Sequence, residues 1–491
     1  MGKAEPPSDV GGPIAHLRPA NVSALEGLFT SPKAFGVPRA SPLQRAICRV
    51  SDGVPLGALW DDPGVREGFG QVRPPEQAPE ILCILAAIRS GKSVLAAAKA
   101  FVCALTCDVR GLAPGDGLRV PVLSVDKDSA HAVFNHLVGT LLSKPMLRKY
   151  LVGQPTADSV MLRHHTGRHV EVKVTAMAKY GSTLVGRWLA SCVLDEAGRM
   201  AGAAESVRNL DDALHAIAGR IRPGGQILII GSPNAPFGPV YDMVQESFGR
   251  PTPQLVVVRG TGPLLNPTWW NPERVEKTLR SNPRAHVTDV LGQFADAEDQ
   301  LFSSVLVDRQ MRSGPEVIPP RLGHSYVAAM DPAMRGNAWT LIVLGCDGTN
   351  HEGDPTYYVA IAKQWRGSRV QPLRPDTVLR EIKNLIEPYG ISDVWSDVHH
   401  IDSLKVIAEH EGLGISETYT TADTKTEGIE NIRIHIEAQR LELPPNRALR
   451  ADLLRVKRKV NRKSTVMDLP VTRDGRHCDY VPTLANCLRY A

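Results

Sequence analysis

The chain has 491 residues, 43% of them hydrophobic, and a formal net charge of +5. That length allows two or three domains with sizeable cores, and the composition excludes a disordered or fibrous chain. A charge this small neither names nor excludes a nucleic-acid partner, so the local distribution of charge matters more. The eight cysteines, at 48, 83, 103, 107, 192, 346, 478 and 487, form no C-x-x-C pair. They read as reduced, buried thiols. The opening MGKAEPPSDVGGPIAHLRP lacks the apolar core of a signal peptide, and no run reaches transmembrane length.

Residues 1–40 are rich in Pro and Gly and read as an N-terminal arm. Gln44 follows in Pro42-Leu43-Gln44; its amide offers a donor and an acceptor and suits adenine reading. The stretch Ile81–Ser93, ILCILAAIRSGKS, is an apolar run, a short loop and Gly91-Lys92-Ser93, followed by the helix-like VLAAAKAFVCAL. Strand, loop and helix in that order are the layout of a phosphate-binding P-loop, in which backbone N–H groups wrap phosphate at a helix N-terminus. Ser90, Gly91, Lys92 and Ser93 would hold ATP, with Lys92 on the β/γ-phosphates and Ser93 on Mg²⁺. Ala86 stands where the P-loop pattern has its first Gly, and Arg89 adds charge inside the loop.

RVPVLSVD (119–126) reads as a second buried strand and SAHAVFNHLVGTLL as a helix. Residues 160–175 alternate as a strand pair around Thr166-Gly167. The apolar run ending in Asp195-Glu196 is a Walker B pattern: Asp195 would hold Mg²⁺ through water and Glu196 would orient the attacking water. QILIIG (226–231) is another buried strand, and its polar tip, Ser232-Pro233-Asn234, would meet the γ-phosphate if this strand neighbours the P-loop strand. Strands alternating with helices predict an α/β domain with a mostly parallel sheet over 41–260. Residues 261–323 read as a linker or subdomain.

A second domain is expected over 324–491. SYVAAM runs into Asp331, two meander strands follow, DTVLREIKNLIEPYG is an amphipathic helix, and ISDVWSDVHH is a strand ending at Asp397. Asp479 opens a short C-terminal helix with Val481, Leu484, Ala485 and Leu488 at helical spacing. Asp331, Asp397 and Asp479 could bind two Mg²⁺ or Mn²⁺ and so clamp both oxygens of a phosphodiester hydrolysis. Each could instead be a turn former, a loop acid or an N-cap. His399, His400 and His477 stand beside them. Arg447, Arg450, Arg455, Lys457, Arg458, Lys459, Arg462 and Lys463 form a basic run opposed only by Asp452, suited to a DNA backbone.

In this order the parts resemble the large terminase subunit of tailed double-stranded DNA bacteriophages, from about Phe35 to Ala491. The resemblance rests on Pro42-Leu43-Gln44, AAIRSGKS, VLDE, IIGSPN, FADAEDQLF, MDPA, WSD and HCDYVPTLANCL. It implies a P-loop ATPase domain of the additional-strand, RecA-like type and an RNase H-like nuclease domain. It also implies ATP-driven movement of double-stranded DNA through a portal protein into a procapsid, and cutting of concatemeric DNA by a two-metal endonuclease. The partners implied are a small terminase subunit and further copies of the chain in a ring, a pentamer in the family, in the host-cell cytoplasm. Carried over by motif, Lys92, Ser93, Asp195 and Glu196 would be ATPase residues, and Ser232, Pro233 and Asn234 the coupling motif. Arg89 would act in cis, and Arg187 would be a finger toward a neighbouring subunit or else a strand-edge ion-pair partner. Asp331, Asp397 and Asp479 would be the nuclease acids, with Asp402 and Glu381 as rivals for the second place. The alternative is an ATP-driven, helicase-like translocase whose C-terminal domain only binds DNA.

Overall fold

The computed structural model describes residues 23–125, 127–176, 184, 186–200, 210–296, 300–334, 338–350, 353–367, 371–397, 401–418, 421–460, 465–470 and 478–491. These divide into two compact units between Ala295 and Asp296. His399, His400, His477, Arg462 and Lys463 lie outside the described residues, as do the side chains of Asp402 and Lys459.

The first unit is an α/β layer structure on a nine-stranded sheet. Its strands are β1 (Ile81–Ala86), β2 (Gly117–Ser124), β3 (Leu151–Val152), β4 (Ser159–Arg163), β5 (His169–Ala176), β6 (Arg187–Leu189), β7 (Cys192–Asp195), β8 (Ile227–Gly231) and β9 (Leu255–Gly260). Their order is β3-β4-β5-β2-β7-β8-β1-β9, with β6 also on β2. Among the described residues, the strands from β5 to β9 in that order pair in parallel, and only β3, β4 and β5 pair antiparallel. The sequence dictates this division. ILCILA, CVLD and ILIIG are apolar on both faces and bury both under helices, as central parallel strands do. SVMLR and HVEVKVTA alternate, which is the pattern of a half-exposed pair. One strand, β8, lies between the P-loop strand β1 and the Asp195 strand β7, which is the additional-strand arrangement.

The helix Lys92–Thr106 follows the loop after β1 and carries no Gly, no Pro and five alanines, all of them buried. Its Phe101 is fully buried and meets Phe35 and Tyr150 edge-on at 6.3 and 5.7 Å. Truncating Phe101 to Ala would leave a cavity worth about 3–5 kcal/mol. The helix Pro42–Ser51 starts with a complete capping box, Ser41 and Gln44 bonding each other's backbone N–H, and Pro42 at its first position.

The second unit has a six-stranded sheet in the order β14-β13-β10-β11-β12-β15. Here β10 is Ser325–Asp331, β11 Ala338–Thr349, β12 Pro355–Arg366, β13 Asp393–Asp397, β14 Gly414–Thr418 and β15 Leu441–Glu442. β10, β11 and β12 form an antiparallel meander, and β13 and β14 add in parallel beside β10. This is the RNase H-like arrangement. One face packs on the helices Pro375–Ile386 and Ile401–Glu411 through Met330, Leu341, Val343, Leu379 and Leu404. The C-terminal helix Tyr480–Tyr490 packs on β10 and β11. Its Cys487 thiol reaches the Ile342 carbonyl at 3.4 Å, and its Tyr490 ring stacks on Trp395 of β13 at 3.6 Å. β16 (Lys457–Val460) and β17 (Thr465–Asp468) pair antiparallel as a two-stranded sheet. No helix among the described residues is long and apolar enough to cross a membrane.

Candidate functional site

In the first unit the parallel register places the carboxyl ends of β1, β8 and β7 along one edge. Ligand groups of an open α/β sheet gather at such an edge. The loop after β1 turns through Arg89 at φ 57° and Gly91 at φ 82°. Gly91 is required twice over: its backbone is left-handed, and a Cβ there would meet Gln44 Nε2 at 2.8 Å. The helix then begins at Lys92 with its first N–H groups free of any side-chain cap, which is the donor end that an anion would meet.

Lys92 Nζ donates to Ser232 Oγ at 3.0 Å and, more weakly, to the Ala87 carbonyl at 3.5 Å. The tip of β8 thus reaches Lys92. Burial pulls the Lys92 ammonium below its usual value, against the opposing pull of Glu196 and Asp195. Asp195 ends β7, is 3% exposed, and accepts the Glu196 backbone N–H at 2.9 Å. Burial first and the Glu196 carboxylate second push it up to about 7. Glu196 itself sits at φ 53°, a left-handed backbone that a non-glycine residue holds only under constraint.

Gln44, which the sequence offers for adenine reading, lies beside the loop after β1. It is 5% exposed, its Nε2 donates to the Ser90 carbonyl at 2.7 Å, and its Oε1 accepts the Ser41 N–H at 3.0 Å. One end of the amide thus braces the loop, and the other closes the capping box of its own helix. Arg187 begins β6 opposite Gly117, the first residue of β2. That is the amino end of the sheet, so the fold does not bring Arg187 to its own P-loop.

In the second unit, β10 and β13 pair in parallel with Ala329 beside Trp395 and Met330 beside Ser396. One more step in that register sets Asp331 beside Asp397. Asp479 precedes the C-terminal helix and is 2% exposed. Its Oδ2 accepts the Ala338 N–H at 2.9 Å, and its carbonyl accepts from Thr340, the β11 partner of Asp331, at 3.1 Å. The buried Asp452 holds the next residue, accepting the Tyr480 N–H at 3.2 Å. Asp331, Asp397 and Asp479 all line one cavity of about 600 Å³, together with Lys425, Asn486 and Arg489. Burial first and Asp397 second push Asp331 up to about 7, while Lys425 pulls it down.

A carboxyl raised by a neighbouring carboxylate in this way fits a divalent cation, which would relieve the repulsion. Among the described residues, no three His, Cys, Asp or Glu side chains are gathered tightly enough to form a finished metal cage. The rival Glu381 is engaged elsewhere: it accepts from Trp365 Nε1 at 2.7 Å and pairs with Lys363, and it does not line the cavity.

Solved large terminases of bacteriophages are similar to this chain. The HK97 bacteriophage large terminase matches at 14% identity and a TM-score of 0.48, over 92% of this chain and 100% of that one. A large terminase from a thermophilic bacteriophage matches at 13% identity and a TM-score of 0.34, over 84% of this chain and 92% of that one. The large terminase nuclease of the thermophilic phage G20c matches at 18% identity and a TM-score of 0.32, over 39% of this chain and 98% of that one. No family model and no curated protein matches the chain.

The basic run divides into separate pieces. The helix Arg447–Arg455 ends where β16 begins, and Arg450 pairs with Asp308 through two contacts at 2.6 and 2.9 Å. Arg455 lies 3.7 Å from Asp452. Arg458 is exposed on β16. Sequence reasoning missed Arg199, 3.7 Å from Glu196, and the segment Asn266–Trp270. In that segment Asn266 Nδ2 donates to the Arg89 carbonyl at 2.7 Å and Trp270 Nε1 to the Ile88 carbonyl at 2.9 Å. Only the unusual NPTWWNP, two Trp between two Asn-Pro pairs, could have signalled it.

Proposed function

We propose that the chain is a viral DNA-packaging motor subunit, a large terminase, that hydrolyses ATP to move double-stranded DNA into a procapsid and cuts concatemeric DNA. The observation that carries this reading is the pairing of two sites in one chain. A lysine, a buried aspartate and a serine converge on the carboxyl edge of the first sheet. Three aspartates line one cavity in the second unit.

At the first site Lys92 and the helix N-terminus hold the phosphate charge. Glu196 orients the attacking water and takes its proton. Ser93 and Asp195 would hold Mg²⁺, which when bound draws off charge from the phosphate oxygens. Ser232, bonded to Lys92, exchanges that contact for one with the phosphate, and β8 with its Pro233-Asn234 tip passes the change on. Arg89 adds positive charge in cis, and Arg187 acts on a neighbouring copy within a ring. At the second site Asp331, Asp397 and Asp479 would hold Mg²⁺ or Mn²⁺, as a pair of ions; bound metal supplies an activated water and polarises the phosphodiester. Arg447, Lys457, Arg458 and Lys459, with Arg462 and Lys463, follow the DNA backbone. Arg450 and Arg455 contribute through the fold, since Arg450 pairs with the exposed Asp308 and Arg455 faces the buried Asp452. A portal protein, a small terminase subunit and the host cytoplasm complete the setting.

The alternative is an ATP-driven translocase whose second unit binds DNA without cutting it. Full-length protein decides between them. ATP hydrolysis stimulated by duplex DNA, plus Mn²⁺-dependent nicking of supercoiled plasmid lost in Asp331→Asn, supports the motor-nuclease. Hydrolysis without nicking, at any metal concentration, leaves a translocase.

A further inference from the structure

We infer that Trp269 is the platform on which the nucleotide base stacks, with Arg274 as its flanking cation. This rests on the reading of the Lys92 loop as a nucleotide site and names the part of the ligand that the loop itself does not hold.

Three observations carry it. Trp269 is 42% exposed, although an indole has more to gain from burial than almost any side chain. It is also held in place. Its neighbours Asn266 and Trp270 clasp the carbonyls of Arg89 and Ile88, and the Asp289 carbonyl accepts the Ile88 N–H at 3.1 Å. Gly292 permits this closeness, since a Cβ there would stand 3.1 Å from Ala87 N. The segment that carries the indole is therefore tied to the P-loop backbone, past the carboxyl end of β9, the strand beside β1. Finally, two guanidiniums lie over it. Arg274 is 4.0 Å and Arg89 5.6 Å from its ring, within the range of cation–π attraction.

Gln44, the residue that the sequence offered for the base, is buried with both ends of its amide engaged. The exposed aromatic surface next to the loop is Trp269. A nucleoside diphosphate whose phosphates lie on the Lys92 helix N-terminus has its base outside the loop, where a flat, cation-flanked indole meets it. The base takes the place of the more distant Arg89 contact, while Arg274 stays packed. Base stacking on an aromatic side chain is worth enough to change affinity about ten- to a hundredfold.

The test separates base from phosphate. Binding of Mg·ADP and of Mg·pyrophosphate to the full-length protein is measured by calorimetry for the wild type, Trp269→Ala, Trp269→Phe and Lys92→Ala. The proposal expects Trp269→Ala to weaken ADP about tenfold or more and to leave pyrophosphate within about twofold. Trp269→Phe keeps most of the ADP affinity, because a phenyl ring still stacks. Unchanged pyrophosphate binding also shows that the alanine variant is folded. Equal loss of both ligands would make Trp269 a brace of the loop and overturn the proposal, as would no loss of either. If Lys92→Ala leaves both ligands bound as before, or the wild type binds neither, the nucleotide reading falls first and the platform with it.

Discussion

The two carboxylate sites use one electrostatic device and build it in opposite ways. Asp195 and Asp331 each end a strand, each is pushed up to about 7, and in each case burial acts first and a second carboxylate next. For Asp195 that second carboxylate is Glu196, its chain neighbour. For Asp331 it is Asp397, sixty-six positions away and adjacent only because β10 and β13 pair. The opposing charge differs as well. Lys92 belongs to the loop that the first site is built on and is already bonded to Ser232. Lys425 comes from a separate helix, Ala422–Glu437, at the wall of a cavity. A carboxylate pair made from neighbours in sequence is preset by local backbone geometry. A site made by strand pairing depends on the whole sheet.

The largest expected effect breaks the two apart. Lys92→Ala should lower ATP turnover about a hundredfold or more, since it removes a fixed cation at the phosphates, and leave plasmid nicking unchanged. Asp331→Asn should do the reverse, with the nicking rate falling at least about a hundredfold and ATP turnover unaffected. Loss of both activities in either variant would mean that the sites are not separable.

Stability against pH sharpens the comparison. A carboxyl whose folded pKa is raised favours the protonated native state, so its contribution is fully present below the unfolded value near 4 and is lost as pH rises through about 7. In metal-free protein, Asp331→Asn should therefore gain about 1–3 kcal/mol over wild type at pH 8 and little at pH 4. Chemical denaturation at the two values checks it, and an equal effect at both would remove the electrostatic account. The same titrations mean that both activities, at limiting metal, should rise as pH passes from 6 to 8, as Asp195 and Asp331 become available to a cation.

Gln44→Ala leaves the Ser41 N–H and the Ser90 carbonyl without their partner and should cost about 1–3 kcal/mol of stability. Its effect on ATP turnover should appear mainly in KM. Ser232→Ala is the smallest change: one hydrogen bond to Lys92, about 1 kcal/mol, seen as a several-fold loss of DNA-stimulated over basal hydrolysis. An equal loss of basal and stimulated rates would remove Ser232 from coupling.

The apolar runs and their punctuation determined much of this protein by themselves. ILCILA, CVLD and ILIIG read as buried strands and residues 160–175 as an alternating strand pair, because burial on two faces and on one face leave different patterns in sequence. Gly91-Lys92-Ser93 and Asp195-Glu196 announced the first site because its groups are consecutive at the tips of such strands. Only the tertiary structure decided that β8 lies between β1 and β7 and so carries Ser232 to Lys92. It alone brought Asp331, Asp397 and Asp479 to one cavity, and turned Gln44 inward and Arg450 onto Asp308. It also placed Trp269 beside the loop. The physical reason is the same in each case: strand order, side-chain partners and residue burial are settled by what packs where. A composition or a spacing states only which residues are available for that packing.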